Sequence, residues 1–199
     1  VGMIGTGRNA LSLLEAACHV RPIESIRIYS RSSERRIAFA QEAQAALGKP
    51  VEPVASNEAA ARGAEIVYVA TDSLTPVLLA DWLSPGTFVA GMGRPSEIDP
   101  SVYLASDLVV VGHKGHEQEY HGIGRFPHHL VELIQKGQLQ WNSVHEMCDV
   151  VVGRVPGRIS EKQIITFKES GGGFGDIAFA NWLYGQAREK GMGQEWNIG

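Results

Sequence analysis

The sequence predicts an α/β fold in which a doubly wound parallel sheet carries helices on both faces, and three observations support this. Short apolar runs alternate with longer amphipathic stretches from the first residue to about residue 112. One run, AEIVYVA at 64–70, is almost continuously apolar, as a strand covered on both faces must be. The opening residues, VGMIGTGRNA, pass from a strand into a helix through a glycine-rich turn.

That turn is specific in its spacing. Gly5 permits a tight exit from the strand, Gly7 lets a phosphate reach the backbone with no Cβ in the way, and Ala10 keeps the following helix close to the sheet. The helix N-terminus then offers free N–H groups to an anion. Together these residues form the fingerprint of a Rossmann-type dinucleotide-binding unit with alanine in the third position. Thr6, Arg8 and Asn9 complete the expected cradle.

The remaining elements follow in order. Leu11, Leu14, Ala17 and Cys18 give the first helix its apolar face, and Pro22 prevents its continuation. Residues 25–30 (SIRIYS) alternate isoleucine with polar residues and read as the second strand. Ser32 or Ser33 caps a helix to Leu47, with Ile37, Ala40, Ala43 and Leu47 on one face and Gly48 as its stop. A short third strand spans 51–54. Ser56 opens a small helix through Arg62, with Glu58 near its positive end, and the fourth strand is 64–70. A short helix is expected over 75–82, a fifth strand over 87–91 and a sixth over 108–111.

Past Gly115 the pattern changes. Helices are expected at 116–121, 127–136 and 143–152, then a rigid basic turn (GRVPGR, 153–158) and a last strand at 164–167. Three glycines precede a final helix over about 174–190, where Ile177, Ala180, Trp182, Leu183 and Tyr184 are apolar around much of the circumference. Such a helix needs cover on more than one side. The chain starts at Val1, inside its first core strand, so an upstream segment is expected and would supply that cover. The expected division is a dinucleotide-binding domain over 1–172 and a C-terminal helix over 173–199 that belongs with the upstream segment.

A net charge of −4 argues against nucleic acid or an anionic membrane surface as the main partner. No apolar run approaches the ~18 residues of a membrane span. Cys18 and Cys148 read as buried, reduced thiols, which with no visible leader makes the cytoplasm the expected location.

Ligands of open parallel sheets bind beyond the carboxyl ends of the strands. Beyond the cradle, the expected cofactor contacts are therefore Ser30, Arg31, Ser32 and Arg35 after strand two, Ala70, Thr71 and Asp72 at strand four, and Gly91, Met92 and Gly93 at strand five. Ser73 follows in the same turn. Strand two should end in Asp or Glu if a ribose 2′-hydroxyl is to be bound, yet no carboxylate occurs before Glu34. Hydroxyls and guanidiniums there suit a 2′-phosphate instead, with Arg31 the leading candidate. NADP(H) is expected in preference to NAD(H).

The chain resembles the ornithine cyclodeaminase/mu-crystallin family over essentially its whole length. The carrying pieces are IGTGRNA, RPIESIRIYSRS, GAEIVYVATDS, LSPGTFVAGMG, GRVPGR, ITFKESGG and GDIAFA. The resemblance implies a two-domain subunit whose N-terminal domain binds the substrate and builds a homodimer, with the last helix returning to pack on it. It implies NAD(P) chemistry on a small amino or imino acid: cyclising ornithine with loss of ammonia, reducing a cyclic imine, or interconverting amino and keto acids. The substrate-holding residues of such proteins lie upstream, so this chain alone is expected to be inactive.

One departure from the family falls where the chemistry sits. Cyclodeaminases carry an aspartate in a stretch like G-x-D-x-P-G-K, whereas residues 91–96 here read GMGRPS, with Gly93 or Met92 in its place. Without a carboxylate there is no evident base. The ketimine-reductase branch of the family also lacks this aspartate and favours NADPH, so the resemblance implies NADPH-dependent reduction of a cyclic imine. A cyclodeaminase-type lyase and a non-catalytic NADPH-binding protein are the alternatives, and no catalytic residue is assigned. By the same resemblance Asp176 starts the last helix and Ser170 approaches the nicotinamide. Five histidines fall between His113 and His129, and His113, His116 and Glu117 could look like metal ligands. Their spacing fits no closed zinc pattern, so no metal is expected and the segment reads as polar surface.

Overall fold

The computed structural model describes residues 1–122, 127–169, 173–194 and 196. One sheet holds eight strands: β1 (Gly2–Ile4), β2 (Ile26–Tyr29), β3 (Val51–Pro53), β4 (Ile66–Val69), β5 (Phe88–Gly91), β6 (Leu108–Val111), β7 (Val144–Glu146) and β8 (Ile165–Lys168). They lie in the order β3-β2-β1-β4-β5-β8-β6-β7, and every adjacent pair is parallel. The helices are α1 (Ala10–Val20), α2 (Ser33–Leu47), α3 (Asn57–Ala61), α4 (Pro100–Ala105), α5 (Lys114–Gly122), α6 (His129–Gln135), α7 (Met147–Val151) and α8 (Gly173–Glu189). The expected α/β class, a Rossmann-type parallel sheet, is what the chain adopts.

The strand period of two divides the core. Met3, Ile26 and Ile28 pack with Leu14 and Ala17 of α1 and with Phe39, Ala40 and Ala43 of α2. Ile4, Val67, Val69, Val89, Val109 and Val111 point the other way, onto α3, α4 and α6 through Ala60, Val102, Tyr103, Leu130 and Leu133. Capping decides where the helices start. Ser32 accepts the Arg35 N–H, Ser56 accepts the Ala59 N–H and Asp99 accepts the Ser101 N–H, while Gly48 ends α2 in the left-handed conformation.

Several expectations are corrected. Residues 75–82 do not form a helix: Pro76 removes an N–H, Leu78 pairs with Ile98 as an isolated bridge, and only Ala80–Trp82 make a 3₁₀ turn. Residues 143–152 split into the edge strand β7 and the short α7, because β6 offers a parallel partner to the β-branched Val144. Helix α4 was not anticipated, although Asp99-Pro100 is a sound start signal, a cap followed by proline at the first helical position. Ile37 is exposed, and Phe39 takes the inward place on α2. Neither thiol is buried: Cys18 is half-buried, Cys148 is exposed, and both are free.

On α8, Ile177, Phe179, Trp182 and Tyr184 are each more than half exposed. No helix among the described residues is long and apolar enough to cross a membrane. The later strands return in a different order from the sequence, since β8 inserts between β5 and β6. Lys168 thereby lies level with Gly91 and Val111 at the carboxyl edge.

Gly5 sits where β1, β2 and β4 meet. Its φ is +109°, its N–H donates to the Tyr29 carbonyl at 2.8 Å, and a Cβ there would run into the Ala70 carbonyl oxygen. A Gly5→Ala substitution combines a disfavoured backbone with overpacking and is expected to cost about 2–4 kcal/mol in urea unfolding. A loss below about 0.5 kcal/mol, the scale of an ordinary surface substitution, contradicts this account.

Candidate functional site

The glycine turn has the geometry of a cradle. Gly5 is fixed by conformation and by the Ala70 carbonyl, and Ala10 is buried against the sheet. Gly7 differs from both. It is exposed, its φ is not positive, and a Cβ added to it would meet nothing within 4 Å. Among the described residues nothing requires glycine at residue 7, whereas a pyrophosphate approaching the backbone would. Helix α1 begins at Asn9 with no side-chain cap and no acidic residue in its first turn, unlike the capped α2, α3 and α4. Its first N–H groups suit an anion. Thr6 is half-buried, while Arg8 and Asn9 are exposed at the rim.

The end of β2 lies beside this turn. Ser30 donates to the Ser32 carbonyl, and its own carbonyl accepts from Arg36 at 2.7 Å, whose guanidinium stacks over the Tyr29 ring. Arg36 is thereby tied to the strand end. Ser32 spends its hydroxyl on the α2 cap, and Arg35 is exposed. Arg31 is also exposed and lies 3.5 Å from Asp72, which joins the exits of β2 and β4 across that of β1. A pair so open to solvent holds little energy and gives way readily to a ligand.

The exits of β4, β5 and β8 are organised by two residues that motif reading passes over, Glu97 and Lys168. Both are fully buried. The Glu97 carboxylate accepts from the Thr71 N–H and hydroxyl, each at 2.8 Å, and from the Gly93 N–H at 2.7 Å. Lys168 donates to the Gly93 carbonyl at 3.0 Å and to the Glu169 carbonyl. Gly91 is glycine for packing, since a Cβ there would lie 2.5 Å from Ile98 Cδ1. Met92 donates its N–H to the Val69 carbonyl, and Ala70 donates to that of Ile4. Ser170 lies outside the described residues. The others expected at the carboxyl edge, from Gly5 to Gly93, do end up together there.

The histidine segment is not uniformly surface. His113 and the Glu146 carboxylate approach to 3.8 Å in the open, but His128 and Glu117 are both fully buried and 2.7 Å apart. This pair joins α5 to the start of α6 and corrects the expectation of a polar surface stretch. Among the described residues the only grouping of possible metal ligands is Glu146, Cys148 and Asp149, and Asp149 is held by Arg154 at 2.8 Å.

The family model for ornithine cyclodeaminase/mu-crystallin proteins matches residues 1–191. The chain belongs to that family. It is 33% identical over 97% of its length to a Δ1-pyrroline-2-carboxylate reductase of Bacillus cereus, covering 59% of that protein. A solved structure of the Thermococcus litoralis Δ1-pyrroline-2-carboxylate reductase, in complex with NADH and L-proline, is similar at a TM-score of 0.87 and 28% identity, covering 98% of this chain and 60% of that one. The iminosuccinate reductase of Paracoccus denitrificans in complex with NAD+ is similar at 0.86 and 25%, covering 99% and 59%. The chain thus spans about three fifths of the length of the relatives it matches.

Within this ornithine cyclodeaminase/mu-crystallin chain, Glu97 and Lys168 left faint sequence signals. Glu97 is a carboxylate four residues beyond Gly93, and Lys168 is a cation closing the ITFK run of a largely buried strand. Burial pushes the Glu97 carboxyl up from 4.5 to about 7, opposed by the Thr71 donors, the Lys168 ammonium and the Gly93 N–H. Burial lowers Lys168, opposed by Glu117, Glu97 and Glu169. The folded chain binds the Glu97 proton more tightly than the unfolded chain. The resulting stability is complete below pH 4.5 and is lost as pH rises through about 7. The two limits differ by on the order of 3 kcal/mol. Lys168 acts in the opposite sense, its stability being present above pH 10.5 and lost as pH falls through its lowered value. Urea unfolding from about pH 5 to about pH 8 is expected to show wild-type stability falling relative to Glu97→Gln, most steeply near neutrality. Parallel pH profiles for the two proteins contradict the assignment.

Proposed function

We propose that this chain is the nucleotide-binding part of an NADP(H)-dependent oxidoreductase that reduces a cyclic imine, or interconverts an amino acid and its imino or keto acid. The observation that carries this reading is likeness over almost the whole chain to proteins named Δ1-pyrroline-2-carboxylate reductase and iminosuccinate reductase. The glycine turn supports it, because Gly7 answers to no need among the described residues. A bound nicotinamide nucleotide supplies or accepts the hydride.

The chain's own residues would do the holding. Gly5, Thr6, Gly7, Arg8, Asn9 and the start of α1 take the pyrophosphate. Ser30, Arg31, Ser32 and Arg35 take the far ribose. Ala70, Thr71, Asp72, Gly91, Met92 and Gly93 line the nicotinamide half, to which the family resemblance adds Ser170. Two of the similar structures hold NADH or NAD+. The preference for NADP(H) rests instead on this chain's β2 exit, where Ser30 and the exposed Arg31 stand in place of a carboxylate. Gly93 brings no acid or base of its own to the substrate. We further propose that residues 1–172 are the nucleotide domain and that residues 173–199 pair with a substrate and dimer domain. On that reading the intact protein is a cytoplasmic homodimer, and the 199-residue chain alone is inactive.

Two measurements test the reading. The intact protein should consume NADPH, followed by the absorbance of the reduced nicotinamide, when given pyrroline-2-carboxylate or piperideine-2-carboxylate. Tight NADPH binding without turnover would point to a non-catalytic protein, and ammonia released from ornithine would point to a lyase. Arg31→Ala should weaken NADPH binding about tenfold, as expected for one charge-assisted contact, and leave NADH binding within about twofold. Equal affinity of the wild type for both nucleotides would refute the NADP(H) assignment.

A further inference from the structure

Position 93 lacks a side chain, yet the space in front of it is filled. A Cβ added to Gly93 would lie 2.5 and 2.6 Å from the two carboxylate oxygens of Glu97 and would also run into the Thr71 carbonyl oxygen. Both obstacles have one origin. Glu97 holds the Thr71 N–H and hydroxyl with one oxygen and the Gly93 N–H with the other, so it anchors Thr71, the residue whose carbonyl blocks position 93. The same carboxylate lies in the field of Lys168, whose ammonium donates to the Gly93 carbonyl. The backbone of Gly93 is thus held from both ends, its N–H by an anion and its carbonyl by a cation.

We propose that Glu97 is the positioning residue of this site: its carboxylate clamps the exits of β4 and β5 to one another, in the volume that glycine at 93 leaves free. The adenosine half of a dinucleotide lies toward β2 and the other half toward β4 and β5, on the far side of the point where the strand order reverses. Glu97 therefore shapes the floor under the reactive ring without touching it, acting through Thr71 and Gly93. Residues 93 and 97 form a coupled pair. Only one can project a side chain into this volume, and a carboxylate there is supplied from 97. The inference rests on the nucleotide-binding part of the proposed function and is independent of the substrate.

The titratable and charged groups facing the Glu97 carboxylate are Lys168 of β8 and Tyr103 of α4, and Lys168 in turn faces Glu117 of α5 and Glu169. Its carboxyl sits at about 7, so both ionisation states are populated near neutrality and the clamp is pH-sensitive there.

The test is a double-mutant cycle on the intact protein, read by thermal melting and by NADPH affinity. Gly93→Ala and Glu97→Ala are each expected to weaken NADPH binding about tenfold or more and to lower the melting temperature, while the double variant is no worse than the poorer single one. The wild type should show an inflection near neutral pH in NADPH affinity. Glu97→Gln, which keeps the shape, should abolish it. Penalties that multiply in the double variant, or an inflection that persists in Glu97→Gln, overturn the proposal. Should Gly93→Ala fail to fold, Glu97→Gln and its pH profile decide. Should the wild type bind neither NADPH nor NADH, the nucleotide reading itself has failed, and non-additive melting temperatures still decide whether residues 93 and 97 are coupled.

Discussion

A parallel strand must be followed by a crossover before the next can pair, and this obligation governs the molecule. Every adjacent strand pair here is parallel, so every exit lies at one edge. Residues far apart in sequence become neighbours without any long-range signal between them. Ile4, Val69, Gly91 and Lys168 close one continuous row across β1, β4, β5 and β8. The cradle at Gly5, the Thr71 turn, Gly93 and Lys168 follow from that register.

The first half of the sheet was legible because its signals are local. A glycine turn, serine caps and an αL glycine each act within a few residues, and strands β1 to β6 fall within a residue or two of where the alternation of apolar runs puts them. The misreadings share a cause. Residues 75–82 have helical spacing, but Pro76 and the bridge from Leu78 to Ile98 override it. Residues 144–146 are strand only because β6 lies beside them. The insertion of β8 between β5 and β6 has no sequence signature, yet it delivers Lys168 to the site.

The glycine turn was legible for the same reason as the fold, since a fingerprint of this spacing states its own stereochemistry. The polar interior was not. Glu97, Lys168, Glu117, His128 and Tyr103 are all fully buried, where most such side chains prefer water. Charged groups survive burial only when paired or well hydrogen-bonded. Glu97 has three donors and Lys168 two carbonyls, while Glu117 and His128 have each other. Such groups sit under the exits of β4, β5, β6 and β8, where a hydrophobic filling would cost less. Buried ionic groups contribute weakly to stability compared with apolar replacements. Their clustering beneath one edge fits a requirement of geometry there better than a requirement of folding.

This changes what glycine at position 93 means. Taken alone, Gly93 is the loss of a carboxylate and hence of a base. In the fold, a carboxylate is still present at that point, reaching in from four residues downstream and held by the very backbone it replaces. It is fully buried and bound by three donors. It fixes the backbone of Thr71 and Gly93 at the strand exits. Residue 93 therefore separates two questions that a motif runs together: whether the site contains a carboxylate, and whether that carboxylate faces the reaction. Here the first is answered yes, and the Glu97 carboxylate is turned into the protein toward Thr71 and Gly93. A site of this kind suits hydride chemistry, in which the nucleotide reacts and the protein orients, more than chemistry that needs a side-chain base.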